Sequence, residues 1–527
     1  MVTREYDGVA GAGGVKDVCQ QLSEALVQHA GCDVRVILPC YGFINAQSLG
    51  FQPVQLPCSV FEVDMHYPNQ KRRETVTLWM KKEQGVVIYL LDSPRFREKQ
   101  AVYTYTPAEE QEKSWQKAGT GHFDFFAMNV LLQKAALDLM ILLDIRPDII
   151  HCHDGHAAIL PAMLREQSGY RQFFCQTGAV VTVHNAGLGY HQDVDDLAFA
   201  QAITGLPESV IRAGMFNNAC NPFVVAAGYA QINTVSEQYA RELQETDEDA
   251  RTGWLGHELR KKGVDLAGIT NGVNPEDFNP AQGRKKGLIA DFNLEKGEVH
   301  GKKSCKEEML YLCRGKENWT TVQQYGSLRD SFREESNKVL TPLFTFIGRL
   351  TAQKGVDLLL RAVSLLMMNR RTEFQLLILG SGDSVLEQQL QELVEEKRFR
   401  GQLCFLKGYD PALALKIYAA GDFFLIPSLY EPCGLTDYIA QLFGNLPLVH
   451  HVGGLVKVID RTTGFAYQEH SAEALAQTML LALDIYHNRP EQLNTMQKAA
   501  LQHIQTHYQW QHVMQEYLSL YQKALYG

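Results

Sequence analysis

The chain lacks several things, and each absence narrows what it can be. Its 11 cysteines are scattered over 527 residues with no C-x-x-C pair, so neither a disulfide framework nor a four-thiolate zinc site is written into their spacing. Positive charge is not in excess. Fifty Lys and Arg against 60 Asp and Glu leave a formal net charge of -10, which argues against general affinity for nucleic acid or an anionic membrane surface. No basic and apolar leader opens the chain, and no apolar run of about 18 residues is expected to span a bilayer. No repeat shorter than a domain is evident. Together these absences read as a cytosolic protein with reduced thiols.

What is present is an ordinary globular composition, 45% hydrophobic and 21% charged. At 527 residues the chain is too long for one core, so two large domains are expected. Short apolar runs alternate with helical patterns in the first half ("DVRVILP", "VVIYLLD", "PDIIHCHD", "AVVTVHN", "QINTVSE") and again in the second ("LFTFIGRL", "FQLLILG", "LCFLKGY", "FFLIPS", "LPLVHH"). Runs rich in Val, Ile and Leu, separated by helices, predict two doubly wound parallel sheets. Residues 281–338, with "GRKKG" and "EKGEVHGKKSCKEE", are charged and weakly periodic and read as an insertion with solvated faces. The closing "WQHVMQEYLSLYQKAL" predicts an amphipathic helix. The expected organisation is an N-terminal domain over 1–270, a linker with the insertion over 271–340, a second domain over 341–500, and a helix over 501–527 packing back across both. Only Met1–Arg4 precede the first glycine region, so the first strand is a stub or lies upstream.

In "GVAGAGGVKDV", Gly11, Gly13 and Gly14 allow φ > 0 and close approach of a ligand, and Val15, Val18, Leu22 and Leu26 predict a helix directly after them. A phosphate or sugar oxygen suits that helix start, and a tight turn without a ligand suits it equally. The spacing is not G-x-G-x-x-G, which weakens a dinucleotide reading. In open parallel sheets ligands lie beyond the carboxyl ends of the strands. There "IGRLTAQKG" places Arg349 and Lys354, two cations able to hold a diphosphate, or simply two solvated surface charges. In "PSLYEPCGL", Glu431 can accept hydrogen bonds from sugar hydroxyls, while Cys433, Gly434, Leu435 and Thr436 open a helix whose N–H groups suit an anion. Cys433 has no His close in sequence to act as its base, so a thiol nucleophile is disfavoured. Gly453 and Gly454 offer another close-approach loop. In "HCHDGH", strand alternation sets His151 and His153 against Cys152 and Asp154, so metal donors do not converge. Asp154 then reads as a strand-end residue, as do His184 and Asn185 in "TVHNAG".

Taken together, "HCHDGHAA", "TVHNAG", "TVSEQYA", "ITNGVNPEDFNP", "GRLTAQKG", "GSGD", "KGYDPALALKIYAAGD" and "YEPCGL" resemble, in order, the bacterial glycogen and plant starch synthases. That resemblance implies the GT-B fold, two Rossmann-like domains facing a deep cleft. It also implies a retaining transfer of glucose from a nucleoside diphosphate glucose, ADP-glucose before UDP-glucose, to the non-reducing end of an α-1,4-glucan. No metal or cofactor is implied, nor any membrane or nucleic-acid partner. The implied location is cytoplasmic, or the plastid stroma if a transit segment has been removed. By the same resemblance, Arg349 and Lys354 hold the diphosphate, Glu431 the donor glucose, and Cys433, Gly434, Leu435, Thr436, Gly453 and Gly454 contact sugar and phosphate. Tyr409 stacks on the base, His184 lies near the glucose 6-hydroxyl, and Asp154, Asn185 and Asn271 are cleft residues. The opening loop, with Gly13, Gly14 and Asp17, approaches the donor.

The chain departs from the family pattern at four points. Gly11 stands where the family's loop has Lys, with Lys16 or Arg4 as substitutes; Gly155 replaces Trp; Asn274 replaces Asp; and Lys457 replaces the Asp of T-G-G-L-x-D-T-V. These leave two alternatives, a GT-B enzyme with another donor or acceptor and a catalytically impaired glucan-binding relative.

Overall fold

A computed structural model describes residues 1–54, 59–315, 319–329, 341–368 and 373–526. The chain forms two compact units, one of Met1–Gly272 with Trp510–Gly527, the other Val273–Gln509.

In the first unit the strands Ile149–His153, Gly178–Val183, Gln231–Thr234 and Ala267–Gly268 lie parallel in that spatial order. The strand Arg35–Pro39 runs parallel to Val86–Asp92. The stub joins the two groups: Val2 N–H donates to His151 O at 2.8 Å, and Thr3 N–H to Ile37 O at 3.1 Å. The far edge is antiparallel, because Arg73–Glu83 pairs with Val86–Asp92 and with Val60–Asp64. This corrects the all-parallel expectation. Arg73–Glu83 ("RETVTLWMKKE") buries only Val76 and Leu78, the alternation of a half-solvated antiparallel strand.

The helix Val15–Ala30 buries Val18, Leu22 and Leu26 and stops at Gly31, φ 67°, which is left-handed. Among the described residues one helix, Phe125–Leu142, is long and apolar enough to cross a membrane, with mean hydropathy 1.6 over 18 residues. That corrects the expectation of no such run. Of this stretch 78% is buried within the unit, including Lys134, whose Nζ donates to Asp64 O at 2.8 Å. It is a core helix of the first unit.

Among the described residues the second unit has a seven-stranded sheet in the order Val322–Gly326, Leu403–Gly408, Gln375–Gly380, Leu343–Ile347, Phe423–Ile426, Leu446–His450, Phe465–Tyr467. All neighbours are parallel except the first pair. The inner strands are buried at every position, as continuous apolar runs require.

The expected insertion needs correction, although 316–318 and 330–338 of it lie outside the described residues. His300–Leu312 is a helix built into the second unit, and Val322–Gly326 is its edge strand. Lys302 and Lys306 of "GKKSCKEE" are buried. Lys302 Nζ donates to the carbonyls of Gly421 at 2.7 Å, Phe443 at 2.8 Å and Ala419 at 3.2 Å; Lys306 pairs with Asp422 at 2.5 Å. The expected closing helix is also two elements. Pro490–His507 belongs to the second unit and Trp510–Tyr526 to the first.

Candidate active site

The second unit carries the densest group of expected residues, all at carboxyl ends of its parallel strands. After Leu343–Ile347, the Thr351 hydroxyl accepts from Lys354 N–H at 3.3 Å and closes a short turn over Ala352–Lys354. Gly355 follows at φ 67°. A Cβ there would stand 1.9 Å from Pro427 O, so only glycine lets this turn press against the end of Phe423–Ile426. The packing delivers Lys354 to Glu431, Nζ to Oε2 at 2.5 Å, and Ser428 Oγ lies 3.1 Å from the same oxygen. Glu431 is only 9% exposed. Arg349 is exposed two residues beyond its strand.

Glu431 O accepts from Gly454 N–H at 2.9 Å. A side chain at Gly453 (φ 51°) would meet Glu431 O at 2.1 Å, and one at Gly454 would meet Cys433 O at 2.1 Å. The two loops, 430–435 and 452–455, are therefore in backbone contact. Cys433 is buried, and Gly434 takes φ 77° before Leu435, which is right-handed, ahead of the helix Thr436–Leu442. Tyr409, just past Leu403–Gly408, is 65% exposed. Asn274, in place of the family's Asp, performs a cap: its side chain accepts from Glu276 N–H at 3.2 Å.

In the first unit Asp154 and His184 meet. Asp154 closes its strand at φ 57°, and its Oδ1 accepts the His184 backbone N–H at 2.7 Å. Burial raises the Asp154 carboxyl to about 7 despite that bond, with Glu5 adding to the rise. Burial lowers His184 to about 3, so its ring is neutral at pH 7. His184 Nε2 lies 3.0 Å from His153 Nδ1, and His151 bonds Thr182 Oγ1 at 2.6 Å and Tyr521 OH at 2.9 Å. His153, which is not among the residues expected at the site, therefore abuts one that is. Asn185 Oδ1 accepts from Gly187 N–H at 2.9 Å, and Asn271 is buried. Among the described residues no group of three or more His, Cys, Asp or Glu could hold a metal ion.

The opening loop differs from expectation. Its left-handed residue is Gly8 (φ 73°), while Gly11, Gly13 and Gly14 are outside that region. Two of its N–H groups are already engaged: Ala12 and Gly13 donate to Glu5 Oε2 at 2.6 and 3.0 Å. Tyr103 OH bonds the other oxygen at 2.6 Å. Glu5 is not among the expected site residues; its one sequence signal is an acid directly after the stub and just ahead of the glycines. Neither substitute for the loop Lys stands free. Lys16 Nζ pairs with Asp7 at 2.5 Å and Asp17 at 2.8 Å, and Arg4 is buried on Tyr41, Asn129 and the Val102 carbonyl. Gly155 has no room for the family's Trp, since even a Cβ would lie 2.7 Å from His191 O.

Residues 1–272 match the model of the starch synthase catalytic domain, and 329–503 that of the glycosyl transferases group 1. A glycogen synthase from Aeromonas hydrophila is 31% identical over 535 aligned positions, covering 100% of this chain and 98% of its own. Among solved structures, the catalytic domain of starch synthase IV from Arabidopsis thaliana, bound to ADP and acarbose, aligns with TM-score 0.79 at 23% identity, covering 99% of this chain and 98% of that one. Sucrose-phosphate synthase from Thermosynechococcus elongatus aligns at TM-score 0.57 and 17% identity, over 98% and 96% of the two chains.

Proposed function

The chain belongs to the glycogen and starch synthase family and is a glycosyltransferase of the GT-B fold, and from that premise we propose that it moves glucose from ADP-glucose to the non-reducing end of an α-1,4-glucan with retention. The observation that carries the assignment to this site is the Lys354–Glu431 pair, held at strand ends beside the backbone of Cys433–Thr436 and Gly453–Gly454. A cytoplasmic location accompanies this reading. The ADP bound to the Arabidopsis relative is the argument for adenine over uracil.

The chemistry follows from charge. As the anomeric carbon–oxygen bond breaks, negative charge collects on the diphosphate, and groups that bind it more strongly then than before lower the barrier. Lys354 has three N–H donors, one on Glu431, leaving two for phosphate oxygens; Arg349 adds a forked donor. Glu431, with one oxygen taken by Lys354 and Ser428, keeps the other to accept from a glucose hydroxyl. The leaving phosphate oxygen takes the acceptor's proton on the same face, which preserves configuration without a carboxylate nucleophile. Tyr409 offers the base an exposed ring, and neutral His184, its backbone N–H held by Asp154 and its Nε2 by His153, has Nδ1 for a sugar hydroxyl.

A second reading, a glucan-binding relative with impaired transfer, is favoured by one observation: neither Lys16 nor Arg4 replaces the loop lysine. One experiment tests both. ADP-glucose and UDP-glucose are each incubated with glycogen, and diphosphate release and chain length are read together. Glycogen-dependent ADP release is expected, and Glu431→Ala should lower turnover at least about hundredfold, in line with a lost transition-state contact. No release from either donor would favour the second reading, and an unimpaired Glu431→Ala would remove Glu431 from the site.

A further inference from the structure

Lys457 is the residue of this region whose identity is hardest to explain as packing. It stands where the family pattern has an acid, and its side chain is only 4% exposed. Its Nζ donates to Cys433 O at 2.5 Å, Gly434 O at 2.9 Å and Gly454 O at 3.0 Å, and lies 3.2 Å from Asp437 Oδ1. The ring of Tyr438 sits below it, with its centroid 4.5 Å away. Burying an ammonium costs several kcal/mol before any partner offsets it. Filling the same space with methionine would avoid that cost, so the contacts made by the charge are the place to look for a role.

Three of those contacts are to main-chain carbonyls, and they come from both loops of the donor site. In a planar trans peptide the C=O and the following N–H point in opposite directions. An ammonium that draws in the carbonyls of Cys433 and Gly434 therefore turns the N–H groups of Gly434 and Leu435 to the other side. Gly434 is left-handed and Leu435 right-handed, the alternation that makes successive N–H groups converge on an anion. The third carbonyl, Gly454, ties the loop 452–455 to the same point, opposite the bond from Gly454 N–H to Glu431 O. Asp437 balances the charge, so the grip brings no net charge into the interior.

We propose that Lys457 is a positioning residue for the donor: by gripping three carbonyls from below, it aims the Gly434 and Leu435 amides at the diphosphate of the sugar nucleotide and locks the two donor loops together. The proposal rests on the function argued above. It touches neither substrate nor reacting atoms, and its effect belongs to the donor alone.

The test uses the full chain with Lys457→Met, which keeps the length and loses every donor, and Lys457→Gln, which keeps two N–H groups. KM is measured for the nucleotide sugar and for glycogen, and the affinity for the nucleoside diphosphate by calorimetry. A misplacement of a binding group by about an ångström costs up to roughly hundredfold. Lys457→Met should raise donor KM and weaken diphosphate binding at least about tenfold, with glycogen KM within about twofold of wild type and Lys457→Gln in between. Should the Met variant not fold, Gln against wild type carries the same comparison. Unchanged donor KM, or equal changes for donor and glycogen, would overturn the role of Lys457. Wild-type protein that neither binds a nucleoside diphosphate nor transfers glucose would instead overturn the function on which it rests.

Discussion

At the scale of single residues, Asp154 shows how a strand-end position stores a pH response. Its backbone is left-handed, its side chain is buried, and its carboxyl is raised to about 7 chiefly by the loss of water. An ordinary Asp titrates near 3.8. Between those values the folded chain holds a proton that the unfolded chain has released, so this group's contribution to stability is complete below about pH 4 and is lost as pH rises through 7. Asn at this position keeps an oxygen for the His184 N–H and has no proton to lose. Asp154→Asn should therefore gain stability relative to wild type as pH is raised from 5 to 8, by at most about 1.4 kcal/mol per pH unit. Melting temperatures of the two proteins across that range check it; a pH-independent difference would show that Asp154 ionises freely in the fold. The placement of Asp154, His184, Lys354 and Glu431 close after strands was legible in the sequence, because buried apolar runs mark where each strand stops. The glycine loop was less so. Composition says that glycine permits φ > 0, but which glycine uses it depends on contacts such as Glu5 with the Ala12 and Gly13 amides, which no local pattern encodes.

At the scale of elements, the two sheets were legible wherever strands were buried on both faces and failed where they were not. "LFTFI" and "FFLI" read as strands because every residue is inside. "RETVTLWMKKE", half solvated, and "VQQYG" at the sheet edge carry too weak an apolar signal. The helix His300–Leu312 failed for a different reason: its lysines look solvated and are not. Lys302 fills the space between the ends of two helices, Pro411–Ala420 and Thr436–Leu442, and takes three carbonyls that those ends leave open. Replacing it by Met strands those carbonyls away from water. Lys302→Met should cost the second unit about 3 kcal/mol, whereas Lys303→Met, on the exposed face one position on, should cost less than about 0.5 kcal/mol. Urea titrations of the two variants decide it, and equal losses would return this segment to the solvated insertion that its composition suggests.

At the scale of the whole molecule, the chain leaves its first unit at Gly272 and re-enters it at Trp510. The returning helix is core. Trp510, Val513, Met514, Tyr517 and Leu520 are all buried, and the indole Nε1–H of Trp510 donates to Gln21 at 2.6 Å. Backbone fits around it tightly. A Cβ at Gly272 would stand 2.8 Å from the indole, and one at Gly178 would stand 2.6 Å from Ala524 O. Tyr521 OH meets His151, and through it the row of rings that ends at His184. Five large apolar side chains contribute on the order of 10 kcal/mol by burial, comparable with the whole margin that keeps a domain folded. The two stretches of the first unit lie far apart in sequence, so its core closes only when Trp510–Tyr526 packs against Met1–Gly272. A chain ending at Gln509 should therefore lose the first unit's unfolding transition while the second, whose closing helix Pro490–His507 is intact, keeps its own. Calorimetry on the full and shortened chains reads this directly, with limited proteolysis assigning each transition: digestion of the shortened chain should spare the helix Pro490–His507 and the strand Leu343–Ile347 of the second unit and degrade the strands of the first. A shortened chain that kept both transitions at their original temperatures would show that the first unit's core closes without Trp510–Tyr526.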